Sequence, residues 1–192
     1  MTCELSAWSQ ITEWIRENAP RSYAQLQEGA TSDALAHTRA RLGTPLPEEL
    51  SSMLHMNNGV QVDPNDPDGM RPRRSGEFVS DFYSILSTHL ITRVNEHMNA
   101  VYNGGEQDGE WKHHWVPFAV ESDWLYGLFI DGTTGAVGEW SDGGPIEENV
   151  YPSLSAFLEE SFQLIQSRAG IYNEMIVWDI DDLDQEDLDQ LT

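Results

Sequence analysis

Two adjacent histidines, His113 and His114, are the side chains best suited to chemistry in this sequence, and they precede Trp115. A metal ion held there would need further ligands from elsewhere, such as His89 or His97. Neighbouring residues on a strand point to opposite faces, so the two histidines are poorly placed to bind one ion. We therefore predict no metal site, and a metal-assisted hydrolase that uses these histidines is the least favoured alternative.

Catalytic motifs are missing from the chain. It contains no Gly-x-Ser-x-Gly, no phosphate-binding glycine loop and no His-Glu-x-x-His. Cys3, the only cysteine, lies near the N-terminus and is a poor candidate for a nucleophile. Carboxylate pairs are abundant, but with 33 acidic residues among 192 their proximity says little about acid–base catalysis. We therefore predict a protein that is not an enzyme, with no catalytic residues and no cofactor.

The charge of the chain is strongly one-sided. Thirty-three Asp and Glu stand against 10 Lys and Arg, which gives a formal net charge of −23. Such a charge repels nucleic acid and anionic membranes and attracts basic proteins. A basic protein partner is therefore the first hypothesis, and binding to nucleic acid or membranes is not expected. The alternative is that the acidity only keeps the protein in solution or reflects a salt-rich habitat.

The candidate partner-binding residues are acidic groups in segments with little to bury, where charge stays exposed. They lie before a predicted hairpin, in its turn and in the C-terminal tail: Glu106, Asp108, Glu110, Glu121, Asp123, Asp181, Asp182 and Asp184. Trp124, in the same turn, would add an apolar anchor if it is exposed, because tryptophan is favoured at binding hot spots. The alternative is that Trp124 and Trp140 belong to the core.

A second charged segment, residues 63–76, contains three prolines and is predicted to be an irregular loop. Arg71, Arg73 and Arg74 place three of the ten basic residues within four positions. They could grip a carboxylate or phosphate bidentately, but we expect them to pair with the protein's own acidic surface. The acidic half of the loop does not fit a calcium loop, because Pro67 takes a ligand position and Arg74 replaces the closing glutamate.

The stretch most informative about the fold is 111–140, which holds four of the seven tryptophans. Two apolar runs have the length of buried strands, with an acidic turn at 121–123 between them, and a glycine-containing reversal follows. Three antiparallel strands are predicted, at 115–120, 125–130 and 136–140. Pro117 has no amide hydrogen, so the first strand should lie at an edge or turn that position outward.

Helices are predicted where apolar residues recur at helical spacing between capping residues and a glycine or proline stop. The predicted helices cover about 5–18, 33–42, 47–56, 88–103 (capped by Thr88) and 153–165, and further strands cover 78–85 and 176–180. The predicted core contains Trp8, Leu50, Leu54, Phe118, Leu128, Ile130 and Phe157. Together these elements predict a single α+β domain whose sheet is centred on the tryptophan-rich hairpin.

The length of 192 residues suits one domain of ordinary size. We assign residues 1–170 to this domain and residues 171–192 to an acidic C-terminal extension made of a strand and a tail. The single cysteine cannot form an intrachain disulfide, no Asn-x-Ser/Thr acceptor occurs, and the N-terminus lacks a basic region followed by an apolar core. No apolar run approaches the roughly 20 residues that span a bilayer. A cytoplasmic location is therefore expected.

Five sequence features occur in a characteristic order along the chain. They are Trp8 and Ile11 in the first helix, Leu42-Gly-x-x-Leu-Pro-x-Glu-Leu50 ending in Asn58-Gly59, Phe82-Tyr83-x-Ile-Leu86, Trp115-Val-Pro-Phe-Ala119, and Gly-x-x-x-Asp131-x-x-x-Gly135-x-Val-Gly138. Taken together they resemble the SUKH superfamily, the family of the yeast cell-wall assembly regulator and of many bacterial toxin-immunity proteins. The Leu-Pro-x-Glu-Leu segment is the most specific of these, and the match spans about residues 5–165. The long loop at 63–76 and the acidic extension depart from the family pattern.

The resemblance implies an α+β domain in which helices pack on a mixed, mainly antiparallel sheet. It also implies a protein-binding module, since the family carries no catalytic motif to transfer. Combined with the charge, it predicts an immunity protein that neutralises a basic, nuclease-type toxin by stoichiometric binding. The alternative is an intracellular regulatory scaffold of the cell-wall assembly regulator type.

Overall fold

The computed structural model describes residues 6–80, 82–104, 110–141 and 144–178. Its helices are α1 (Ser6–Asn18), α2 (Pro20–Tyr23), α3 (Ser32–Leu42), α4 (Glu48–Met56), α5 (Thr88–Met98) and α6 (Leu154–Arg168). Its strands are β1 (Ser84–Ile85), β2 (Trp115–Val120), β3 (Tyr126–Asp131), β4 (Val137–Ser141), β5 (Glu147–Tyr151), β6 (Gly170–Tyr172) and β7 (Met175–Val177). None of the helices in these ranges is long and apolar enough to cross a membrane.

Strands β1 to β5 form one antiparallel sheet in which each strand pairs with the next along the chain. Helices pack around this open five-stranded sheet, so the predicted α+β class is confirmed. The three strands predicted around the hairpin are also confirmed, each within one residue at either end. Every pair in the described sheet is antiparallel, which agrees with the mainly antiparallel arrangement that was expected.

The two outer strands differ from the prediction. The strand predicted at 78–85 shrinks to the two residues of β1, because Val79 and Tyr83 bond to each other through their backbones and close a tight loop. β5 was not predicted, since its Glu147 and Glu148 lack the apolar alternation that marks a strand. All but the last residue of β5 are exposed, as suits a polar strand at a sheet edge.

Pro117 lies within β2, which is buried along its whole length between β1 and β3. The described pairing with β1 reaches only Ala119 and Val120, so Pro117 lies beyond the end of that ladder. The register between β2 and β3 also shifts between Pro117 and Ala119. The missing amide hydrogen of Pro117 is thus tolerated because the strand pairing is irregular at this position. The strand itself is an inner one, so the first of the two expected arrangements, an edge strand, does not occur.

One face of the sheet carries a cluster of aromatic rings centred on Trp111. Trp115, Phe129 and Trp140 meet it edge-on at centroid distances of 5.3, 5.4 and 5.6 Å, and Tyr102 stacks on it at 6.5 Å. The Nε1 of Trp111 donates to Asn95 Oδ1 of α5 at 2.9 Å, which ties the cluster to that helix. A Cβ at Gly127 would overlap the Trp140 ring, so only glycine fits this point of β3.

The opposite face of the sheet packs against α6. Phe157 of this helix contacts the rings of Phe118 and Tyr151 at centroid distances of 5.6 and 5.3 Å. Ser153 caps the helix by accepting the amide hydrogen of Ala156 at 3.1 Å, as its sequence position predicted. The seven predicted core residues are all buried, namely Trp8, Leu50, Leu54, Phe118, Leu128, Ile130 and Phe157.

The boundaries of α5 correct one prediction. The N-cap is Ser87, whose Oγ accepts the amide hydrogen of Leu90 at 3.3 Å, and Thr88 is already helical. Thr88 instead donates its amide hydrogen to Asn58 Oδ1 at 2.8 Å, so the Asn58-Gly59 segment is fixed to the start of this helix. Beyond Met98 a π-helical turn, Asn99–Asn103, continues to the glycine that was expected to end the helix.

The end of the described chain is a hairpin, β6 and β7, in place of the single strand predicted at 176–180. Its buried side packs on α2, where Ser22 Oγ accepts the amide hydrogen of Ile176 at 3.1 Å. Trp178 Nε1 donates to the carbonyl of Glu77 at 3.0 Å. The division of the chain after residue 170 stays a prediction, and the acidic tail from residue 181 lies outside the described residues.

Candidate functional site

The turn between β2 and β3, residues 121–125, holds three of the predicted partner-binding residues together. Glu121 donates its amide hydrogen to the carbonyl of Tyr126 at 3.1 Å, and Asp123 Oδ1 accepts the amide hydrogen of Leu125 at 3.2 Å. These bonds close a short turn whose two carboxyl groups lie side by side. The turn is therefore the part of the predicted acidic surface that the structure assembles.

Glu121 and Asp123 interact as a hydrogen-bonded acid pair. Burial, the hydrogen bond with Asp123 and the charges of Asp123 and Glu77 raise the pKa of Glu121 to about 7. The same hydrogen bond lowers the pKa of Asp123 below its usual value. The pair therefore holds a proton on Glu121 that it donates to the Asp123 carboxylate, and this proton is given up near neutral pH.

A third carboxyl group, Glu77, lies close to this pair. Burial raises its pKa to about 7, the Arg74 charge opposes the shift and the Asp123 charge adds to it. The charge of Glu77 also raises the pKa of Glu121, so ionisation of Glu77 disfavours ionisation of Glu121. The site therefore gains negative charge in steps around neutral pH.

Trp124 is only partly exposed, so its role differs from the free apolar anchor that was considered. Its carbonyl accepts the Trp140 Nε1 hydrogen at 3.2 Å, and its ring meets His97 of α5 edge-on at 5.7 Å. Its backbone has a φ of +67°, which costs energy for a residue with a side chain. Trp124 thus fixes the turn against α5, and its neighbours Leu125 and Tyr126, 43% and 46% exposed, face the solvent.

A second strained loop lies beside this turn. The residues Ser80 and Phe82 have φ values of +39° and +141°, and the Phe82 side chain is 49% exposed. The register of β1 against β2, Ser84 opposite Val120, carries Tyr83 next to Glu121. A bulky exposed side chain held at positive φ is rare, and such strain is concentrated at functional positions.

Tyr83 connects the two loops with the end of the sheet. Burial raises its pKa above the usual value, and the charges of Glu139 on β4 and of Glu121 add to the shift. Burial and the neighbouring Glu147 likewise raise the pKa of Glu139. We use the name sheet-end surface for this group of neighbours, which comprises Phe82, Tyr83, Glu121, Asp123, Leu125, Tyr126 and Glu139.

The loop predicted at 63–76 approaches the other side of the turn. A cavity of about 180 Å³ lies between Asp66, Met70 and Arg71 of the loop and Asp123 and Trp124 of the turn. Backbone hydrogen bonds from Arg71 and Met70 lower the pKa of Asp66, and the Arg71 charge lowers the pKa values of Asp66 and Asp123. Arg71 thus acts on the protein's own carboxylates, as expected.

The other two arginines of that loop, Arg73 and Arg74, have different partners. Arg74 acts on Glu77, where its charge opposes the rise in pKa. Arg73 Nη1 donates to the amide oxygen of Gln25 at 3.2 Å. The expectation that these arginines meet the protein's own acids therefore fits Arg71 and Arg74.

The remaining predicted site residues are not assembled with the turn. Glu110 is exposed and precedes Trp111, whose ring packs on the sheet face opposite to Tyr126 and Glu139. The other predicted acids, Glu106, Asp108, Asp181, Asp182 and Asp184, lie outside the described residues.

The two adjacent histidines form a small local cluster. Their rings meet edge-on at 5.0 Å, and His114 Nε2 lies 3.4 Å from Asp131 Oδ2. Across the described ranges, no group of three His, Cys, Asp or Glu side chains is arranged to hold a metal ion.

Sequence reasoning missed the aromatic part of the sheet-end surface. Phe82, Leu125 and Tyr126 were placed in strands with buried faces, because their apolar runs have strand length. One signal was available for Phe82, since the polar Ser80 interrupts the apolar run that contains it. Nothing in the sequence distinguishes Leu125 and Tyr126 from the buried residues that follow them.

The antiparallel sheet between helical layers, with an exposed aromatic and acidic end, defines an α+β domain with a surface suited to protein contacts. The chain belongs to the SMI1 / KNR4 family (SUKH-1), whose model matches residues 29–160, more than half of its length. No curated protein sequence matches the chain. Family membership supports a protein-binding role, of the immunity or regulatory kind, in a family that is generally not catalytic.

Proposed function

We propose that this chain is an immunity protein that binds a basic, nuclease-type toxin one to one in the cytoplasm and has no catalytic activity of its own. The observation that supports the proposal best is the sheet-end surface. It presents Phe82 and Tyr126 to solvent beside the Glu121–Asp123 pair.

The composition of the sheet-end surface suits a protein interface. Exposed aromatic side chains supply large contact area at low entropic cost, and they dominate the energy of interfaces when a partner desolvates them. Carboxylates beside them favour a partner with lysine or arginine at the matching position. A toxin that acts on nucleic acid must itself be basic to hold its substrate, so this surface can cover the toxin's substrate site.

The proton held on Glu121 makes binding sensitive to pH. A lysine or arginine placed against Glu121 stabilises the carboxylate and releases the proton. Binding of a basic partner should therefore strengthen as pH rises from 6 to 8. Asp123, already ionised in this range, would attract the partner at either pH.

The acidic groups beyond this surface serve as a rim in the proposal. Glu110 and the acids that were predicted at 106, 108, 181, 182 and 184 would raise the encounter rate with a basic partner by electrostatic steering. Charges of this kind act on association and are screened by salt, whereas the aromatic contacts act on dissociation.

The test is to identify the toxin domain that we expect to be encoded next to this gene, and to measure binding to it and protection against it. We expect a 1:1 complex, loss of toxicity on co-expression, and an association rate that falls steeply as salt rises. Glu121→Gln with Asp123→Asn should slow association, and Glu28→Gln with Asp33→Asn, which changes two exposed acids elsewhere, should not.

Two outcomes would contradict parts of the proposal. Association that is insensitive to salt and to the Glu121 and Asp123 changes would assign the acidity to solubility alone. A complex with a housekeeping protein, with no protection against the adjacent toxin, would instead support the regulatory scaffold. The proposed lack of catalysis fails if the purified chain binds zinc or manganese stoichiometrically and loses a measured turnover when His113 or His114 is replaced.

A further inference from the structure

A cleft of about 450 Å³ lies between α3 and α5, and none of its lining residues belongs to the turn that carries the acid pair. One wall is the face of α3 that carries His37, Thr38 and Arg41, which recur at helical spacing. The other wall is the first turn and a half of α5, with His89 and Arg93. The cleft has the volume of sites that bind small molecules in proteins.

The walls of this cleft are fixed relative to each other. The hydroxyl hydrogen of Thr38 on α3 is shared between the carbonyl of Ala34 in its own helix, at 3.0 Å, and the carbonyl of Thr88 at the start of α5, at 3.3 Å. Thr88 is in turn bound to Asn58 Oδ1 through its amide hydrogen at 2.8 Å. The cleft is therefore a preformed feature that does not need to be opened by a ligand.

The charge inside the cleft contrasts with that of the chain. The chain has ten Lys and Arg in all, yet two of them, with two of its six histidines, line this one cleft. Both Arg41 and Arg93 contact Glu96, one guanidinium on each carboxylate oxygen. A single carboxylate shared by two guanidinium groups cannot accept from all of their donor hydrogens.

Arg93 also has hydrogen-bonding capacity in reserve. Its Nε and Nη2 both point to the Met70 sulfur at 3.4 Å, and a thioether is a weak acceptor. These two groups form the edge of guanidinium that binds carboxylate or phosphate bidentately. An oxyanion would therefore be a much stronger partner for Arg93 than the one it has.

We propose that this cleft binds a small phosphorylated ligand, with Arg41 and Arg93 as the phosphate-binding pair. A phosphate group is favoured over a carboxylate because it has more oxygens, so it can accept hydrogen bonds from both arginines at once. The positive end of the α5 dipole, at Thr88 and His89, adds to the attraction.

One lining residue opposes an anion and limits the choice of ligand. Asp68, from the 63–76 loop, contributes a carboxylate to the cleft. A bare anion is repelled by this group, whereas a phosphorylated sugar can donate hydroxyl hydrogens to it. The inferred ligand is therefore a phosphate ester that carries hydroxyl groups, and it binds more tightly than inorganic phosphate.

The experiment is calorimetric titration of the full chain with ribose 5-phosphate, inorganic phosphate and ribose at matched ionic strength. Ribose 5-phosphate should bind at one site, inorganic phosphate more weakly, and ribose not measurably. Arg41→Ala and Arg93→Ala should each weaken binding by about tenfold or more, as expected for loss of a charge-assisted pair. Arg16→Ala removes an arginine of similar exposure that also pairs with a glutamate, and should leave binding unchanged.

Two further variants separate a binding role from a structural one. Glu96→Gln frees both arginines and should tighten binding of ribose 5-phosphate by about threefold or more, and Asp68→Asn should reduce its advantage over inorganic phosphate. The melting temperature of each variant verifies folding. No heat of binding with any phosphate probe, or binding that is lost on Arg71→Ala but unaffected by Arg41→Ala and Arg93→Ala, would overturn the proposal.

Discussion

Aromatic side chains have opposite roles in two regions of the same sheet. In the Trp111 cluster, the rings bury one another edge-on, and Trp111 itself is 1% exposed. At the sheet-end surface, Phe82 and Tyr126 are about half exposed, and their neighbours include carboxyl groups with raised pKa values. The residue type does not decide which role an aromatic takes. The position of the residue decides this role, because it sets how far the ring is buried and which backbone conformation holds it.

The largest effect should come from the buried region. Trp111→Ala removes a ring that contacts four others and leaves Asn95 Oδ1 without its donor. We expect the free energy of unfolding to fall by about 3–5 kcal/mol, the usual range for a buried aromatic. Denaturant unfolding measures this directly. Tyr126→Ala is the control, and it should change stability by less than about 1 kcal/mol because the ring is half exposed. Equal losses for the two variants would remove the distinction between the regions.

The Trp111 cluster could be predicted from the sequence more fully than the sheet-end surface, and the reason is physical. The Trp111 cluster lies on strands whose apolar runs identify them, and burial of such runs is the default outcome of folding. The three central strands, the five longer helices and the seven core residues were therefore predictable, whereas the single turn of α2 was not predicted. β5 was not predictable, because it is an edge strand in which Glu147 pairs with Glu139 of β4 and its polar residues form no apolar pattern.

The candidate surface was predictable only in its charged half. Glu121 and Asp123 were identified because acidic residues between two strands are expected to stay exposed. The aromatic half depends on where the β2–β3 turn and the 79–83 loop meet, which follows from the pairing of Ser84 with Val120. That contact joins positions 36 residues apart, and periodicity within either segment carries no information about it.

The next effect concerns the sheet-end surface and its partner. Phe82→Ala and Tyr126→Ala should each weaken binding to the adjacent toxin domain by about 10–100-fold, the range for aromatic hot-spot residues. Faster dissociation should account for most of the loss. Kinetic binding measurements at a fixed salt concentration provide the test. Phe157→Ala is the contrasting change, since it should lower stability and, at temperatures where the variant is folded, leave the dissociation rate unaltered.

A smaller effect should follow from the buried carboxyl group of the site. The pKa of Glu77 is about 7 in the folded chain against a usual value of 4.5, so folding takes up a proton between these pH values. Its contribution to stability is therefore complete below about pH 4.5 and is lost as pH rises through 7. Glu77→Gln should flatten this part of the pH profile and raise the stability at pH 8 by on the order of 1–2 kcal/mol.

The difference between the two unfolding curves isolates this group from the other titrating residues. Arg74 and Asp123 are the charges that act on Glu77, so the profile should be measured at two salt concentrations. Glu28→Gln, at an exposed position, should give the parent profile. A Glu77→Gln profile that runs parallel to that of the parent from pH 4.5 to pH 8 would show that Glu77 ionises in the folded chain as freely as in the unfolded one.

The smallest effect concerns the backbone strain that holds Phe82 outward. Phe82→Ala and Phe82→Gly both remove the ring, and they differ only in how well the new residue accepts a φ of +141°. Glycine adopts this conformation at little cost. Alanine has a Cβ, as phenylalanine does, so its backbone is strained at this φ to a similar degree. The glycine variant should therefore be more stable than the alanine variant by about 1 kcal/mol, although glycine is the less favourable residue at ordinary φ. The melting temperatures of the two variants, compared in one buffer, show which of them is more stable.

An alanine variant that equals or exceeds the glycine variant in stability would mean that the 79–83 loop is relaxed. In that case the exposure of Phe82 would be no evidence of function, and the sheet-end surface would depend on Tyr126 and the carboxyl groups alone.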